Sequence, residues 1–242
     1  MTDLRMNDPR MNASHKPIVY IISAPSGSGK STLVNVLLAM TPRLDFSISY
    51  TTRPLRGSEQ NGKQYYFVSR QEFEQMVAAD EFLEHASLYG KDYYGTARRF
   101  LREAEQKGND LLLDIDVQGA AQIKKKLPEA VSIFVLPPDR KTLEWRLRKR
   151  GEDSHAVIER RLEEARREIE NYNKYDYILI NDKLEESSDR LQAIVAAERL
   201  RRSGQPLTAA ERAIVDLADF CRLENVRPRV QPILASFGTP VP

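Results

Sequence analysis

The sequence predicts an α/β protein, a parallel sheet flanked by helices with a strand-rich insertion after the first strand–helix unit. Three observations carry that expectation. From residue 17 onward, short β-branched runs alternate with amphipathic, charge-rich stretches, the pattern of buried parallel strands joined by helices. A glycine- and hydroxyl-rich stretch, "SAPSGSGKST" (23–32), directly follows the first apolar run. Between 46 and 96 the alternation breaks: "FSISYTTR", "QYYFVS" and "FLEHASLYG" are strand-like, with one clear helical stretch around 70–79.

Taken in order, "MTDLRMNDPRMNASHK" (1–16) is polar and lacks the apolar stretch of a secretory signal. With little apolar content to offset ordering entropy, it reads as a disordered leader. "PIVYIIS", "LLLDID", "VSIFVL" and "YDYILIN" have the length and composition of strands buried on both faces. Helices are expected near 30–40, 117–126, 139–151, 154–173 and 184–202. Beyond about 200, "RRSGQPLT" reads as a linker and "TAAERAIVDLADFCRLE" as a further helix. The proline-rich "PRVQPILASFGTPVP" reads as irregular.

Bulk composition narrows the classes. A chain of 242 residues with 41% hydrophobic and 30% charged residues suits one substantial soluble core. Thirty-seven basic against 35 acidic residues leave a formal charge of +2, too little surplus for a sequence-independent nucleic-acid binder. No apolar run is long enough to span a membrane. Cys221 is the only cysteine, so no internal disulfide forms, and three scattered histidines make no metal-ligand pattern. A reducing cytoplasm is the natural setting.

"APSGSGKS" fits a phosphate-binding loop with one departure, Ala24 in place of glycine. The change is harmless where that position has negative φ. Gly27 and Gly29 let successive amides point inward, and the following helix offers its positive end to anionic oxygen. Lys30 would reach terminal phosphates, and Ser31 would ligate Mg²⁺. The bland alternative is a flexible loop capping a helix.

A second anion site is expected in "SISYTTRPLRGSEQNGKQYYF". Arg53 and Arg56 flank a stiffening proline, and Tyr65 and Tyr66 add phenolic donors; guanidinium forks suit a phosphomonoester. Glu84 lies in the strand-like "FLEHA", where an unpaired carboxylate is costly to bury. One carboxylate can accept the adjacent N1–H and N2–H₂ of guanine, whereas adenine presents an acceptor at N1. Thr96 and Ser49 hydroxyls would serve O6 or the phosphate. His85 and Trp145 read as packing residues.

"DVQG" (116–119) and "NKYD" (173–176) imitate GTPase signatures. The second, however, ends a long charged helix and precedes a strand, so its Asp is badly placed to read a base.

Together the motifs resemble the guanylate kinase family. "SAPSGSGKST", "SISYTTRPLR", "NGKQYYFV", "FLEHA", "YYGT", "LLLDIDVQGA", "FVLPP", "RLRKRG" and "YILIND" occur in the family's order over about residues 17–200. The resemblance implies a P-loop NTPase-type fold with a GMP-binding insert at 46–98 and a helical lid at 139–167. It implies ATP-dependent phosphorylation of GMP with Mg²⁺; dGMP is expected as a further acceptor, since no residue stands out that must read a 2′-hydroxyl. Ser49, Arg53, Arg56, Tyr65, Glu84, Tyr94, Thr96 and Asp116 would contact GMP. Ala24, Pro25, Ser26, Gly27, Ser28, Gly29, Lys30, Ser31 and Thr32 would cradle ATP, with Asn181 near its adenine.

Lys30, Arg53, Arg146, Arg150 and Arg161 would attend the transferred phosphates, Arg146 and Arg150 from one helix face. Asp114 is a candidate to hold a Mg²⁺-bound water. The substrates would be the small molecules ATP and GMP, with neither nucleic acid nor membrane as partner. Two local departures stand out: "RGSE" sets Gly57 one place earlier than the family's turn, and "YGKDYYG" is one residue longer near 91–92. Residues 201–242 have no counterpart in the minimal pattern. Scaffold forms of such domains, which bind proteins without catalysis, have degraded phosphate loops, unlike this one.

Overall fold

The computed structural model describes residues 16–88, 91–150 and 154–238, without the side chains of Leu88 and Arg150. The expected leader, except Lys16, lies outside the described residues, as do Tyr89 and Gly90 of the lengthened "YGKDYYG" turn. Two compact units are distinguished. The first holds the described residues up to Ile21 together with Pro42–Val131, the second Ile22–Thr41 together with those from Ser132 onward.

The boundary falls inside β1 (Val19–Ser23). Numbered in chain order, β2 (Leu44–Ser47), β7 (Asp110–Asp114), β8 (Val131–Leu136) and β9 (Tyr177–Ile180) complete a five-stranded sheet. Its hydrogen-bonded order is β2-β7-β1-β8-β9. The β2–β7 and β8–β9 pairs are parallel. Every residue of β1 and β8 is buried, which is why these runs read as continuous apolar segments rather than alternating ones.

In the first unit a second sheet is built from β3 (Tyr50–Thr51), β4 (Tyr66–Phe67), β5 (Phe82–Leu88) and β6 (Asp92–Ala97) in the order β4-β3-β6-β5. The run "FSISYTTR" is divided: Phe46 and Ser47 pair with β7, while Tyr50 and Thr51 join the second sheet. Helix α2 (Arg70–Ala78) starts at a Ser69–Glu72 capping box and buries Phe73 against Phe82, ring centroids 4.6 Å apart. Helix α3 (Arg98–Lys107) was not anticipated. Only Phe100 and Ala104 of its ten residues are buried. Helix α4 (Val117–Lys126) follows β7.

The second unit holds α1 (Lys30–Met40), α5 (Arg140–Arg150), α6 (His155–Ile169), α7 (Leu184–Ser203), α8 (Ala209–Asp219) and α9 (Leu223–Ser236). α6 stops short of residue 173, giving way to a 3-10 turn at Tyr172–Lys174. Asp176, the last residue of "NKYD", accepts hydrogen bonds from Ser132 N (2.8 Å) and Oγ (2.7 Å). That aspartate is tied to the start of β8, which disposes of the GTPase imitation.

The proline-rich end corrects the expectation of irregular structure: it is helix α9, with Pro228 and Pro232 inside it. Each proline removes a helical hydrogen bond at about 3 kcal/mol or more. Val226, Val230, Ile233 and Leu234 are buried at helical spacing, and at about 1.5–3 kcal/mol each their burial offsets that loss. The expected linker also begins later, because α7 runs through Ser203. Between α8 and α9 the chain forms a single antiparallel bridge to the sheet edge, Tyr177 with Arg222. Ile178 N donates to Cys221 O and Leu223 N to Asp176 O, so the C-terminal extension covers the outer edge of β9. No described helix is long and apolar enough to cross a membrane.

Candidate active site

Within the second unit, β1 feeds the loop 24–29, and α1 begins at Lys30. Gly27 (φ +95°) and Gly29 (φ +89°) are left-handed, which turns successive amides inward. Among the described residues other than glycine, only Arg43 and Asp80 have positive φ, so Ala24 sits where alanine is tolerated. A Cβ on Gly29 would stand 2.4 Å from Asn181 Nδ2, and one on Gly27 would stand 2.9 Å from the Leu143 and Leu147 side chains of α5. The loop is clasped as closely as two hydrogen-only positions allow.

The expected residues converge on this loop. Asn181, 5% exposed, donates from Nδ2 to Ser28 O (2.7 Å). Arg146 donates to Asn181 O (3.0 Å) and Ser28 O (3.4 Å), and Arg161 to Ser26 Oγ (2.7 Å). The buried Ser28 Oγ has no protein partner among the described residues, an orphaned donor inside an anion cradle. Lys30 and Ser31 occupy the first turn of α1, which carries no acidic residue and no side-chain cap. The helix therefore presents its positive end to the loop unopposed. Arg150 ends α5, its side chain lying outside the described residues.

A cavity of about 270 Å³ adjoins the loop, lined by Gly29, Thr32, Trp145, Lys149, Asn181 and Leu184 among others. Trp145 corrects the reading of it as a packing residue: it is 59% exposed. Leu143 and Leu147 are buried in α5, so the residue midway between them points outward. His85 does pack, edge-on to Phe73.

The first unit holds two further clusters. Arg53 is 6% exposed and inserts its guanidinium among Tyr94, Tyr65 and Phe67. Nε donates to Tyr94 Oη (3.2 Å), while the fork pairs bidentately with Glu59 at 2.8 and 2.9 Å. That pair holds the Glu59 carboxyl below its usual range. Glu59 drew no role from the sequence. The available signal was its place in the turn, where its backbone N donates to Arg56 O and its carboxylate accepts from Arg56 N. The early Gly57 serves this turn with φ +51°. Arg56 itself is exposed, and Ser49 and Tyr65 are half-buried.

Glu84, 4% exposed, accepts from the Thr96 hydroxyl at 2.7 Å. Burial, with the Asp116 charge adding, pushes its carboxyl up to about 7, while the Thr96 hydrogen bonds and Lys126 pull the other way. A Cβ on Gly119 would lie 2.7 Å from Glu84 Oε2, so the carboxylate rests against bare backbone of α4. Asp116 caps that helix, accepting from Gln118 N and Gly119 N, both at 2.8 Å. Asp114, half-buried, ends β7.

Tyr94 and Thr96 are two apart in β6, hence on one face and roughly 7 Å apart along the strand. The Arg53 and Glu84 clusters are thereby anchored at neighbouring same-face positions of β6.

Comparison with known proteins shows the family. The sequence profile of the family described as guanylate kinase matches residues 15–198. A Koribacter versatilis protein named guanylate kinase is 59% identical over 222 residues, 90% of this chain and 95% of that protein. A Photobacterium profundum guanylate kinase is 47% identical over 192 residues, 78% and 92% of the two chains. The crystal structure of guanylate kinase from Anaplasma phagocytophilum matches with a TM-score of 0.64 at 36% identity, covering 76% of this chain and 87% of that one.

Proposed function

The chain belongs to the guanylate kinase family, and we propose that it carries the γ-phosphoryl group of ATP to GMP, with dGMP as a further acceptor, by in-line transfer with Mg²⁺. The family's reaction is the ATP-dependent phosphorylation of GMP to GDP. The observation that carries the acceptor assignment is Glu84, a buried carboxylate whose neutral partner Thr96 leaves it to accept hydrogen bonds from a base. No residue of either cluster demands a ribose 2′-hydroxyl, which supports the deoxy acceptor.

In this reading a GMP phosphate oxygen attacks the γ-phosphorus as the bond to the β–γ bridging oxygen breaks, and ADP departs. The chain needs little covalent chemistry for this; it aligns the two nucleotides and neutralises charge on the transferring oxygens. Arg53, Arg56, Tyr65 and Tyr94 hold the acceptor phosphate, which replaces the Glu59 carboxylate in the Arg53 fork. Glu84 and Thr96 read guanine, with Ser49 and Asp116 beside them. The loop amides and Lys30 hold the donor phosphates, while Arg146 and Arg161, already bonded to the loop, supply positive charge.

The donor set suits Mg²⁺: Ser31 offers one hard oxygen on the first turn of α1, and phosphate oxygens and water supply the rest. Bound there, the ion would neutralise charge on the β- and γ-phosphate oxygens. Arg150 and the Asp114 carboxylate complete the proposed set.

Coupled measurement of ADP release with GMP, AMP, CMP and UMP as acceptors tests this function. GMP is expected to dominate, because adenine places an acceptor where Glu84 needs a donor. Equal turnover of all four would overturn the guanine assignment.

A further inference from the structure

Of the six large apolar side chains exposed among the described residues, Trp145 is the most exposed at 59%, and Leu184 is another at 43%. Both line the cavity of about 270 Å³ that adjoins Gly27 and Gly29 of the phosphate loop. Exposed apolar area gathered in one concave place marks a binding surface more than scattered residues do.

The fold has no use for an indole at position 145. α5 buries Leu143 and Leu147, and Trp145 stands about 200° round the helix from each. The neighbouring Arg146 pins the helix to Ser28 O and Asn181 O, which fixes the backbone of Trp145 at the cavity rim. Lys149, one turn on, places its ammonium 4.9 Å from the ring centroid, steadying the indole without burying it.

We infer that Trp145, which lines this cavity together with Leu184, is the stacking platform for the donor nucleotide's base and gives the donor site its preference for purines. The inference rests on the proposed kinase reading and adds to it a residue outside the phosphate machinery. A purine offers a larger face than a pyrimidine to an indole, and stacking of this kind tolerates any base while favouring the larger. The loop and Lys30 alone would hold any nucleoside triphosphate.

Trp145 is the only tryptophan of the chain, so its emission reports on this cavity alone. ATP is expected to quench that emission, CTP to quench it less, and inorganic tripolyphosphate to leave it unchanged. Trp145→Ala should raise KM for ATP about 5- to 150-fold, leave KM for GMP unaltered and bring ATP and CTP close to parity. Trp145→Phe should restore most of the purine preference. Calorimetric binding of ATP with unaltered emission, or an alanine variant with wild-type KM for ATP, would overturn the inference. A wild-type protein that releases no ADP from ATP and GMP would instead overturn the reading beneath it.

Discussion

Lys30→Met is expected to lower kcat for ADP formation by on the order of 10³-fold or more, with the fold intact by circular dichroism. Lys30 stands at the first position of α1, directly after the left-handed Gly29, and is proposed to meet charge that grows as the γ-phosphoryl group moves. Removing one preorganised charge donor of this kind typically costs 10²–10³-fold, about 2.7–4 kcal/mol, and a full cation aimed at phosphate is worth at least that. Methionine keeps the length and apolar stem, so packing changes little. A variant retaining near-wild-type kcat would remove Lys30 from the chemistry.

Glu84→Gln should cut kcat/KM for GMP about 5- to 150-fold or more, corresponding to about 1–3 kcal/mol or more, while KM for ATP is unmoved. The amide replaces one acceptor by a donor and meets a guanine donor head-on. The buried carboxyl titrates near 7 against a usual 4.5, so two pH effects follow. Guanine needs the carboxylate, so KM for GMP should rise about tenfold per unit as pH falls below 7; the glutamine variant should lack that dependence.

Stability runs the opposite way. Between 4.5 and 7 the folded protein binds a proton that the unfolded chain does not. The favourable contribution is therefore complete below 4.5 and is lost as pH rises through 7, at about 3 kcal/mol. Glu84→Gln should accordingly unfold at a higher temperature than wild type at pH 8 and at nearly the same temperature at pH 5. Unchanged GMP kinetics together with unchanged melting at pH 8 would show that Glu84 neither reads the base nor pays for its burial.

The strands and the phosphate loop were legible because their signals are local: a buried parallel strand is a continuous β-branched run, and two glycines with a lysine fix the loop. The α9 helix was not, since its two prolines are a local veto that four buried side chains override only in tertiary context. Trp145 misled for a related reason. An aromatic residue between two leucines looks like core, and only the helix phase shows that Leu143 and Leu147 use the inward face. Glu84, Thr96 and Arg53 stood out in the sequence by residue chemistry, yet the Glu59 fork partner escaped, because pairing across a six-residue turn leaves no periodic trace. The C-terminal extension has no counterpart in the family pattern, yet its bridge at Tyr177–Arg222 and the ion pair from Arg222 to Glu198 tie it into the second unit.

We propose that the phosphate loop and the Glu84 and Arg53 clusters serve a single reaction. Calorimetric titration with adenosine and guanosine joined through five phosphates tests it most directly. One ligand should bind per chain, about 100-fold or more tighter than ATP or GMP alone, and Lys30→Met and Glu84→Gln should each weaken it. Two ligands per chain, or an affinity no better than that of ATP by itself, would contradict the account.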